Sequence, residues 1–382
     1  MKWETYKLKQ LCSEIVDCVN KTAPTSDVPT PYKMLRTSDI RDGKINLENL
    51  NCVTKEVYEK WTRRGKLQKG DVIFTREAPL GEVGLVREEK NYFLGQRLVL
   101  FRANNKMCDG RFLMYSLLWH DNKQAIISKG VGSTVAHLRV PECENIEIKV
   151  PDLDAQHRIA DILSAYDDLI ENNQRQIKLL EEAAQRLYKE WFVDLRFPGH
   201  ENTKIVDGVP EGWSKGLLKE LISVNYGKDH KKAPDDGNIP VYGSGGLMRK
   251  CNKSLFSGEA VLIPRKGSLN NIMYVDETFW TVDTMFYATM KQPHTAVFVY
   301  FFVKAFDMYS MNIGAAVPSM TAKILDAMDV VIPDKETLEK FDKLTKTYFN
   351  KIKTLQGQNE RLKIARDLLL PKLMYETQKG DF

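Results

Sequence analysis

The chain has 382 residues, of which 43% are hydrophobic and 28% charged. This composition is typical of a globular protein and excludes a disordered chain. The formal net charge is +5, from 56 Lys and Arg against 51 Asp and Glu, which mildly favours an acidic partner such as nucleic acid. We expect no signal peptide, no membrane span and six free thiols, as in a cytoplasmic protein.

Residues 1–150 are predicted to form a first mixed domain. Runs rich in β-branched and aromatic residues predict strands at 71–75, 98–102 and 146–150. A helix is predicted at 109–127, because Phe112, Tyr115, Leu118 and Trp119 share one face.

Residues 151–196 are predicted to contain a first long helix, roughly 55 Å long at ~1.5 Å per residue. Apolar positions recur every three and four residues, which is the seam of a coiled coil. The seam residues are Ile159, Leu163, Tyr166, Ile170, Asn173, Ile177, Leu180, Ala184, Leu187 and Trp191. Such a helix needs a partner for its apolar stripe.

Residues 197–332 are predicted to be a linker followed by a second domain that loosely repeats the first. The strand-like run at 260–265 corresponds to 71–76, and the loop at 314–317 corresponds to 132–135. Both copies close with an apolar strand that ends in Pro-Asp, at 151–152 and 333–334. The order domain–helix–domain–helix indicates a tandem duplication.

Residues 333–382 are predicted to hold the second long helix and a C-terminal tail. Residues 152–193 carry nine acidic and five basic residues (net −4), whereas 334–375 carry six acidic and ten basic (net +4). Opposite charge favours pairing of the first helix with the second over pairing of like with like. We expect this pair to be an antiparallel coiled coil with pseudo-two-fold symmetry, in which Asn173 faces Asn359 and sets the register. The alternative is two unrelated helices, each packed on its own domain.

The sequence predicts no catalytic residue and no metal site. There is no Gly-rich phosphate loop with a following Lys, no Asn-Pro-Pro-aromatic motif, and no cluster with metal-ligand spacing. The six His are scattered along the chain, as expected for surface or core residues.

The chain resembles the specificity subunits (HsdS) of type I restriction–modification systems over essentially its full length. The resemblance rests on residues 156–191 with the following Phe-Val-Asp, Pro-Glu-Gly-Trp at 210–213, Ile-Pro-Arg-Lys-Gly-Ser at 263–268, and Asp-Leu-Leu-Leu-Pro-Lys-Leu-Met at 367–374. It implies an α+β fold in which two target-recognition domains each read half of a bipartite, asymmetric double-stranded DNA site. It also implies that the helices dock methylation subunits.

On this resemblance the chain itself is a non-catalytic subunit without a cofactor. S-adenosylmethionine, ATP and Mg are expected on partner subunits, namely the methylation subunits and a motor-nuclease restriction subunit. Two alternatives stay open at this point. One is a stand-alone DNA-binding or scaffold protein without active partners, and the other is a fused methyltransferase or endonuclease.

Candidate DNA contacts are the polar and basic residues of Gly-containing or strand-end loops, because base edges and phosphates need such groups. In the first domain they are Arg36, Thr37, Ser38, Arg76, Gln96, Arg97, Ser133, Thr134, His137 and Arg139; in the second they are Tyr242, Ser244, Arg249, Lys250, Arg265, Lys266, Asn270, Asn271 and Lys323. Arg36 and Arg97 could instead pair with a carboxylate, and Arg249 with Lys250 could lie in a solvated loop.

The outward faces of the two helices carry further apolar residues: Leu179, Tyr188, Phe192, Phe349, Ile364 and Leu368. They could pack against the chain's own domains or contact methylation subunits.

Overall fold

The computed structural model describes residues 2–132, 136–311 and 318–379. These residues form two compact units. Unit one contains the described residues up to 172 together with those from 358 onward, and unit two contains residues 173–357. Each long helix contributes residues to both units.

The first domain mixes short strands and helices, as predicted. Its elements are β1 (Glu4–Lys7), α1 (Leu8–Leu11), β2 (Cys12–Asp17), β3 (Lys33–Leu35), β4 (Ile40–Arg41), β5 (Lys44–Ile45), β6 (Asn51–Cys52), α2 (Lys55–Trp61), β7 (Val72–Thr75), β8 (Val83–Leu85), β9 (Tyr92–Leu94), β10 (Leu98–Ala103), α3 (Gly110–Leu118), α4 (His120–Ser128), α5 (Val140–Glu144) and β11 (Glu147–Val150). The three predicted strands are confirmed as β7, β10 and β11.

The predicted helix at 109–127 is wrong in one respect, because it is broken into α3 and α4 at Trp119. Trp119 adopts an extended ψ of 129° at the junction. The amide of Asn122 donates a 2.7 Å hydrogen bond to the Ser116 carbonyl, which stabilises the break. Asp109 caps α3 by accepting from the N–H groups of Arg111 and Phe112.

The second domain is also mixed. Its elements are β12 (Ile205–Val206), β13 (Val209–Pro210), β14 (Ser214–Leu217), β15 (Ile222–Tyr226), β16 (Ile239–Gly243), β17 (Gly246–Cys251), β18 (Phe256–Pro264), β19 (Met273–Thr281), β20 (Met285–Met290), α7 (Ala296–Lys304), α8 (Ala322–Asp326) and β21 (Asp329–Ile332). α7 is apolar all round and is buried in the domain core.

Both domains use the same strand topology. In the first, the order β2-β10-β7-β8 forms a sheet, and in the second the order β15-β20-β18-β19 forms part of a larger one. A parallel pair accompanies each sheet, β3 with β9 and β16 with β19. The first and last strands of each domain also pair antiparallel, β1 with β11 and β14 with β21. The repeat predicted from sequence is therefore present in the fold.

The long helices are α6 (Leu153–Tyr188) and α9 (Lys335–Lys379), and α6 ends in a π-helical turn over Lys189–Val193. Asp152 caps α6 through a 2.9 Å hydrogen bond from the Ala155 N–H. Asp334 caps α9 in the same way, through the Thr337 N–H at 3.0 Å. Both long helices therefore begin directly after a Pro-Asp pair, as the sequence pattern predicts.

Within each unit the two helices run antiparallel. In unit one, Ile159 and Leu163 of α6 share a core cluster with Leu373 and Met374 of α9. Further along α6, Asp167 accepts a hydrogen bond from Arg366, which lies earlier on α9. Unit two repeats the arrangement, because Ala184 and Leu187 share a core with Tyr348, and Trp191 packs on Phe341 with ring centroids 5.8 Å apart. Asn173 belongs to unit two and Asn359 to unit one. Both side chains are buried, and their pairing stays a prediction.

Candidate nucleic-acid interface

The two domains repeat one backbone arrangement at the end of a central strand. After β7, the Arg76 N–H donates to the Arg97 carbonyl at 2.8 Å, and the Leu138 N–H donates to the Arg76 carbonyl at 3.0 Å. After β18, the Arg265 N–H donates to the Thr284 carbonyl at 2.8 Å, and the Met320 N–H donates to the Arg265 carbonyl at 2.9 Å. Each domain thus brings three chain segments, separate in sequence, to one strand end.

In the first domain, these hydrogen bonds bring together the predicted contacts Arg76, Arg97 and the segment around His137. Arg76 is only 17% exposed, because its guanidinium pairs with Asp17 at 3.2 Å and donates to the Leu138 carbonyl at 3.4 Å. Arg97, in a left-handed conformation (φ 70°), pairs with Glu77 and keeps half of its side chain exposed. Arg76 therefore stabilises the strand end, while the side chain of Arg97 stays partly exposed to solvent.

The other predicted contacts on this side of the first domain are Gln96 and the residues at 133–139. Gln96 accepts a 3.0 Å hydrogen bond from Thr22, so its amide nitrogen remains available. Ser133 and Thr134 lie outside the described residues. His137 exchanges two 3.0 Å backbone hydrogen bonds with Val131, which closes the loop base. Arg139 precedes α5, and its side chain is exposed.

Arg36 takes the carboxylate-paired alternative that the sequence left open. Its guanidinium donates to both oxygens of the buried Asp39, at 3.0 and 2.8 Å. These hydrogen bonds raise the pKa of Arg36 and hold a short 3-10 turn over Thr37–Asp39. In that turn Ser38 is exposed and Thr37 is half-buried, and both hydroxyls remain candidates.

In the second domain, the equivalent strand end carries Arg265 and Lys266. The Arg265 guanidinium lies 5.6 Å over the ring of Tyr226 and donates to the Asp283 carbonyl at 3.2 Å. Lys266 is exposed, and its backbone bridges to Ser319. The Asn271 amide donates to the Ser244 carbonyl at 2.9 Å, which joins the turn at 243–246 to this loop.

Other predicted contacts in this domain serve its internal structure. Asn270 uses both ends of its amide, donating to Asp307 and accepting from the Met308 N–H. Tyr242 donates a 2.5 Å hydrogen bond to Glu277, and burial together with that bond raises the pKa of the phenol.

The solvated-loop interpretation of Arg249 is wrong. Arg249 lies on β17, where it pairs with Asp235 and donates to the Ala233 carbonyl at 2.8 Å. Its neighbour Lys250 is exposed, as is Lys323 on α8.

Sequence reasoning missed three exposed groups near these residues. Arg64 pairs with Asp17, the partner of Arg76, at 3.6 Å, and a basic run at 62–66 was the available signal. Tyr226 beneath Arg265 carried no sequence signal, because the pairing depends on strand register. Leu247 and Met248 are exposed on β17, although an alternating strand pattern would bury one of them.

The outward helix faces divide into two classes. Leu179, Ile364 and Leu368 are exposed. In contrast, Tyr188 and Phe192 pack on Phe298 of their own unit, and Phe349 packs on Tyr274 with ring centroids 4.7 Å apart. Only the first three are available to another protein.

Among the described residues, no helix is both long and apolar enough to cross a bilayer. Within the residues that the structure describes, no group of three or more His, Cys, Asp or Glu side chains is placed to hold a metal ion.

A comparison with protein families matches this chain to the type I restriction modification DNA specificity domain, over residues 1–182 and 210–363. The chain belongs to this family. The two matched stretches correspond to the two copies of the repeat, each extending into its long helix. The α+β architecture with paired long helices is that of the family.

Among curated relatives, the specificity subunit of the type I restriction enzyme MjaIX of Methanocaldococcus jannaschii is 25% identical over 351 residues, covering 80% of this chain and 77% of the relative. The HindI specificity subunit of Haemophilus influenzae is 22% identical over 440 residues, covering 89% and 93%. The crystal structure of the type I restriction–modification S subunit from M. genitalium aligns with a TM-score of 0.61 and 19% identity, over 98% of this chain and 96% of that one. The structural likeness supports the fold.

Proposed function

We propose that this chain is the DNA-sequence specificity subunit of a type I restriction–modification complex. The observation that carries the proposal is the repeated strand-end arrangement around Arg76 and Arg265, within a chain whose family is defined by DNA specificity domains. Two copies that share a backbone frame but differ in side chains can read two different half-sites. This is the requirement for a bipartite, asymmetric DNA site.

Each half-site is read by loops at one strand end. Arg97 and Arg139 serve the first domain, and Lys266 with Arg265 over Tyr226 serves the second. Lys and Arg supply phosphate contacts or guanine contacts, whereas Gln96 and Asn271 have the amide chemistry suited to adenine. Because Asn271 already donates one N–H to the Ser244 carbonyl, one N–H and the acceptor oxygen remain for recognition.

The specificity subunit carries no catalysis of its own and positions partner subunits. The exposed Leu179, Ile364 and Leu368 support contact with methylation subunits, because exposed apolar side chains on helices are suited to protein interfaces. In this proposal the methylation subunits bind S-adenosylmethionine, and the restriction subunit uses ATP and Mg. All of these components act on DNA in the cytoplasm.

A methylome of the source cell tests the proposal. We expect deletion of the gene to remove one bipartite methylated motif, and the wild-type gene to restore it. The double variant Arg139→Ala/Lys266→Ala should restore it only weakly, whereas the control Lys9→Ala/Lys219→Ala, at exposed lysines outside these loops, should restore it fully. An unchanged methylome after deletion, in a cell whose partner subunits are active, would contradict the proposal.

A further inference from the structure

The hairpin of β16 and β17 exposes two neighbouring apolar side chains. Leu247 is 60% and Met248 54% exposed. Val241 pairs with Arg249 and Tyr242 with Leu247, so Met248 is the extra residue of a β-bulge. A bulge breaks the alternation of side chains along a strand and re-aims them. It explains how two successive apolar residues on this strand both reach solvent.

Contacts on both sides hold this hairpin in place. At its turn, the Ser244 carbonyl accepts from Asn271 on the loop that follows Arg265 and Lys266. Beyond the bulge, Arg249 pairs with Asp235 and donates to the Ala233 carbonyl. Met248 packs over Gly243, where an added Cβ would come within 2.5 Å of its sulfur. The two apolar side chains are therefore presented by a braced element rather than by a loose loop.

The segment of the chain that contains the pair is basic. Residues 226–253 contain six Lys or Arg and three Asp. Two of the acids are engaged, since Asp235 pairs with Arg249 and Asp229 caps the turn at His230–Lys232. The exposed lysines are Lys228, Lys231, Lys232, Lys250 and Lys253. An exposed apolar pair on a segment rich in exposed lysines suits a partner with anionic edges and an apolar interior, as in the stacked bases of duplex DNA.

We propose that Leu247 and Met248 form a wedge that inserts at a base step of the half-site read by the second domain and bends the duplex. This inference rests on the proposed function and adds to it. The loops around Lys266 would position the phosphates, while the wedge would select steps that unstack easily. Pyrimidine–purine steps are the ones that deform at least cost. Specificity at that step would then come from DNA deformability rather than from hydrogen bonds.

The test uses the specificity subunit assembled with its methylation subunits and a duplex carrying the motif that the methylome identifies. 2-Aminopurine at successive positions of the second half-site reports unstacking, and end-labelled DNA reports the bend by energy transfer. We expect wild-type protein to raise 2-aminopurine fluorescence at one step. Leu247→Ala/Met248→Ala should abolish that rise, reduce the bend and weaken specific binding about 10- to 100-fold, because the contacts that the wedge makes with the opened step are lost.

Three controls separate this role from others. Ile205→Ala/Val206→Ala removes an equally exposed apolar pair from β12 and should behave as wild type. The salt dependence of binding should not change in the Leu247/Met248 variant, because no phosphate contact is removed. A mismatch at the affected step lowers the unstacking cost and should restore affinity to that variant.

Two results would overturn the wedge while leaving the proposed function intact. One is normal unstacking and bending by the Leu247/Met248 variant. The other is a change in its self-association by sedimentation with DNA deformation unaltered, which would make edge strand β17 a protein contact. Failure of the wild-type complex to bind the methylated motif would instead reject the proposed function itself.

Discussion

The carboxylate of Asp167 on α6 accepts a 2.5 Å hydrogen bond from the guanidinium of Arg366 on α9. Its second oxygen accepts a 2.6 Å hydrogen bond from the hydroxyl of Tyr115 on α3. Asp167 is 5% and Arg366 14% exposed. Although burial opposes its charge, the pKa of Arg366 is raised by Asp167 and by the neighbouring Asp367. One buried carboxylate therefore ties the first domain to both helices within unit one.

Loss of Asp167 should destabilise unit one strongly. Asp167→Ala leaves a buried guanidinium without its main counter-charge, and breaking such a pair typically costs about 3–5 kcal/mol. We expect urea unfolding followed by Tyr and Trp fluorescence to show that loss. A matched control is Arg361→Ala, at an exposed arginine on the same helix. A double-mutant cycle with Arg366→Ala should give a coupling energy well above zero; additive losses would show that the pair is not coupled.

The cap of α9 predicts a pH dependence of stability. Asp334 accepts from the Thr337 N–H at 3.0 Å, the Thr337 hydroxyl at 2.7 Å and the Trp213 indole at 2.9 Å. Burial acts to raise the pKa of Asp334, but these hydrogen bonds outweigh it, and the pKa lies below its ordinary value of 3.8. A carboxyl with a lowered folded pKa stabilises the fold above its unfolded pKa. That contribution is lost as the pH falls through the folded pKa.

Asp334→Ala should therefore cost about 0.5–2 kcal/mol at pH 7, the usual range for a lost N-cap. The difference from wild type should shrink as the pH is lowered below 3.8. Equilibrium unfolding at a series of pH values measures it. Asp334→Asn retains an acceptor oxygen without the charge and should lie between the two. A difference that stays constant down to pH 2 would argue against the ionised cap.

Two basic residues that sequence reasoning treated alike, Arg249 and Lys266, should behave differently on substitution. Arg249→Ala removes an internal partner of Asp235 and of the Ala233 carbonyl, so we expect a lower melting temperature. Lys266→Ala should leave the melting temperature unchanged and weaken DNA binding. If Lys266 contacts one phosphate, the slope of log K against log salt should fall by about 0.9. Equal effects of both substitutions on stability would contradict this division.

The sequence predicted the elements that are set by local pattern. The apolar seam of α6, the Pro-Asp starts of both helices and the buried strand β7 all follow from spacing or short-range hydrogen bonds. The partners of polar side chains could not be predicted in the same way. Arg76 meets Asp17, 59 positions earlier, only because β2, β10 and β7 lie side by side.

The same limit applies to the helix faces and to the hairpin. Tyr188 and Phe192 lie off the seam but pack against Phe298, which is brought to them by the fold of the second domain. A bulge that inserts Met248 is a property of strand pairing, and single-sequence periodicity does not contain it. The candidate DNA contacts chosen by residue type therefore included Arg36 and Arg249, whose side chains pair with groups of their own domain. They also included exposed groups such as Lys266.

Cys52 should be the most reactive of the six thiols, all of which are unpaired. The Lys33 ammonium donates to its sulfur at 2.9 Å, and this hydrogen bond lowers the thiol pKa. Burial instead raises the pKa of Cys12 and of Cys143 to about 12. Because the thiolate is the nucleophile, iodoacetamide at pH 7 should label Cys52 first by peptide mass mapping. Lys33→Met should slow that labelling several-fold at pH 7. It should have little effect above pH ~10, where the thiol ionises without help from a neighbouring charge. Equal labelling rates of wild type and variant at pH 7 would show that Lys33 does not activate Cys52.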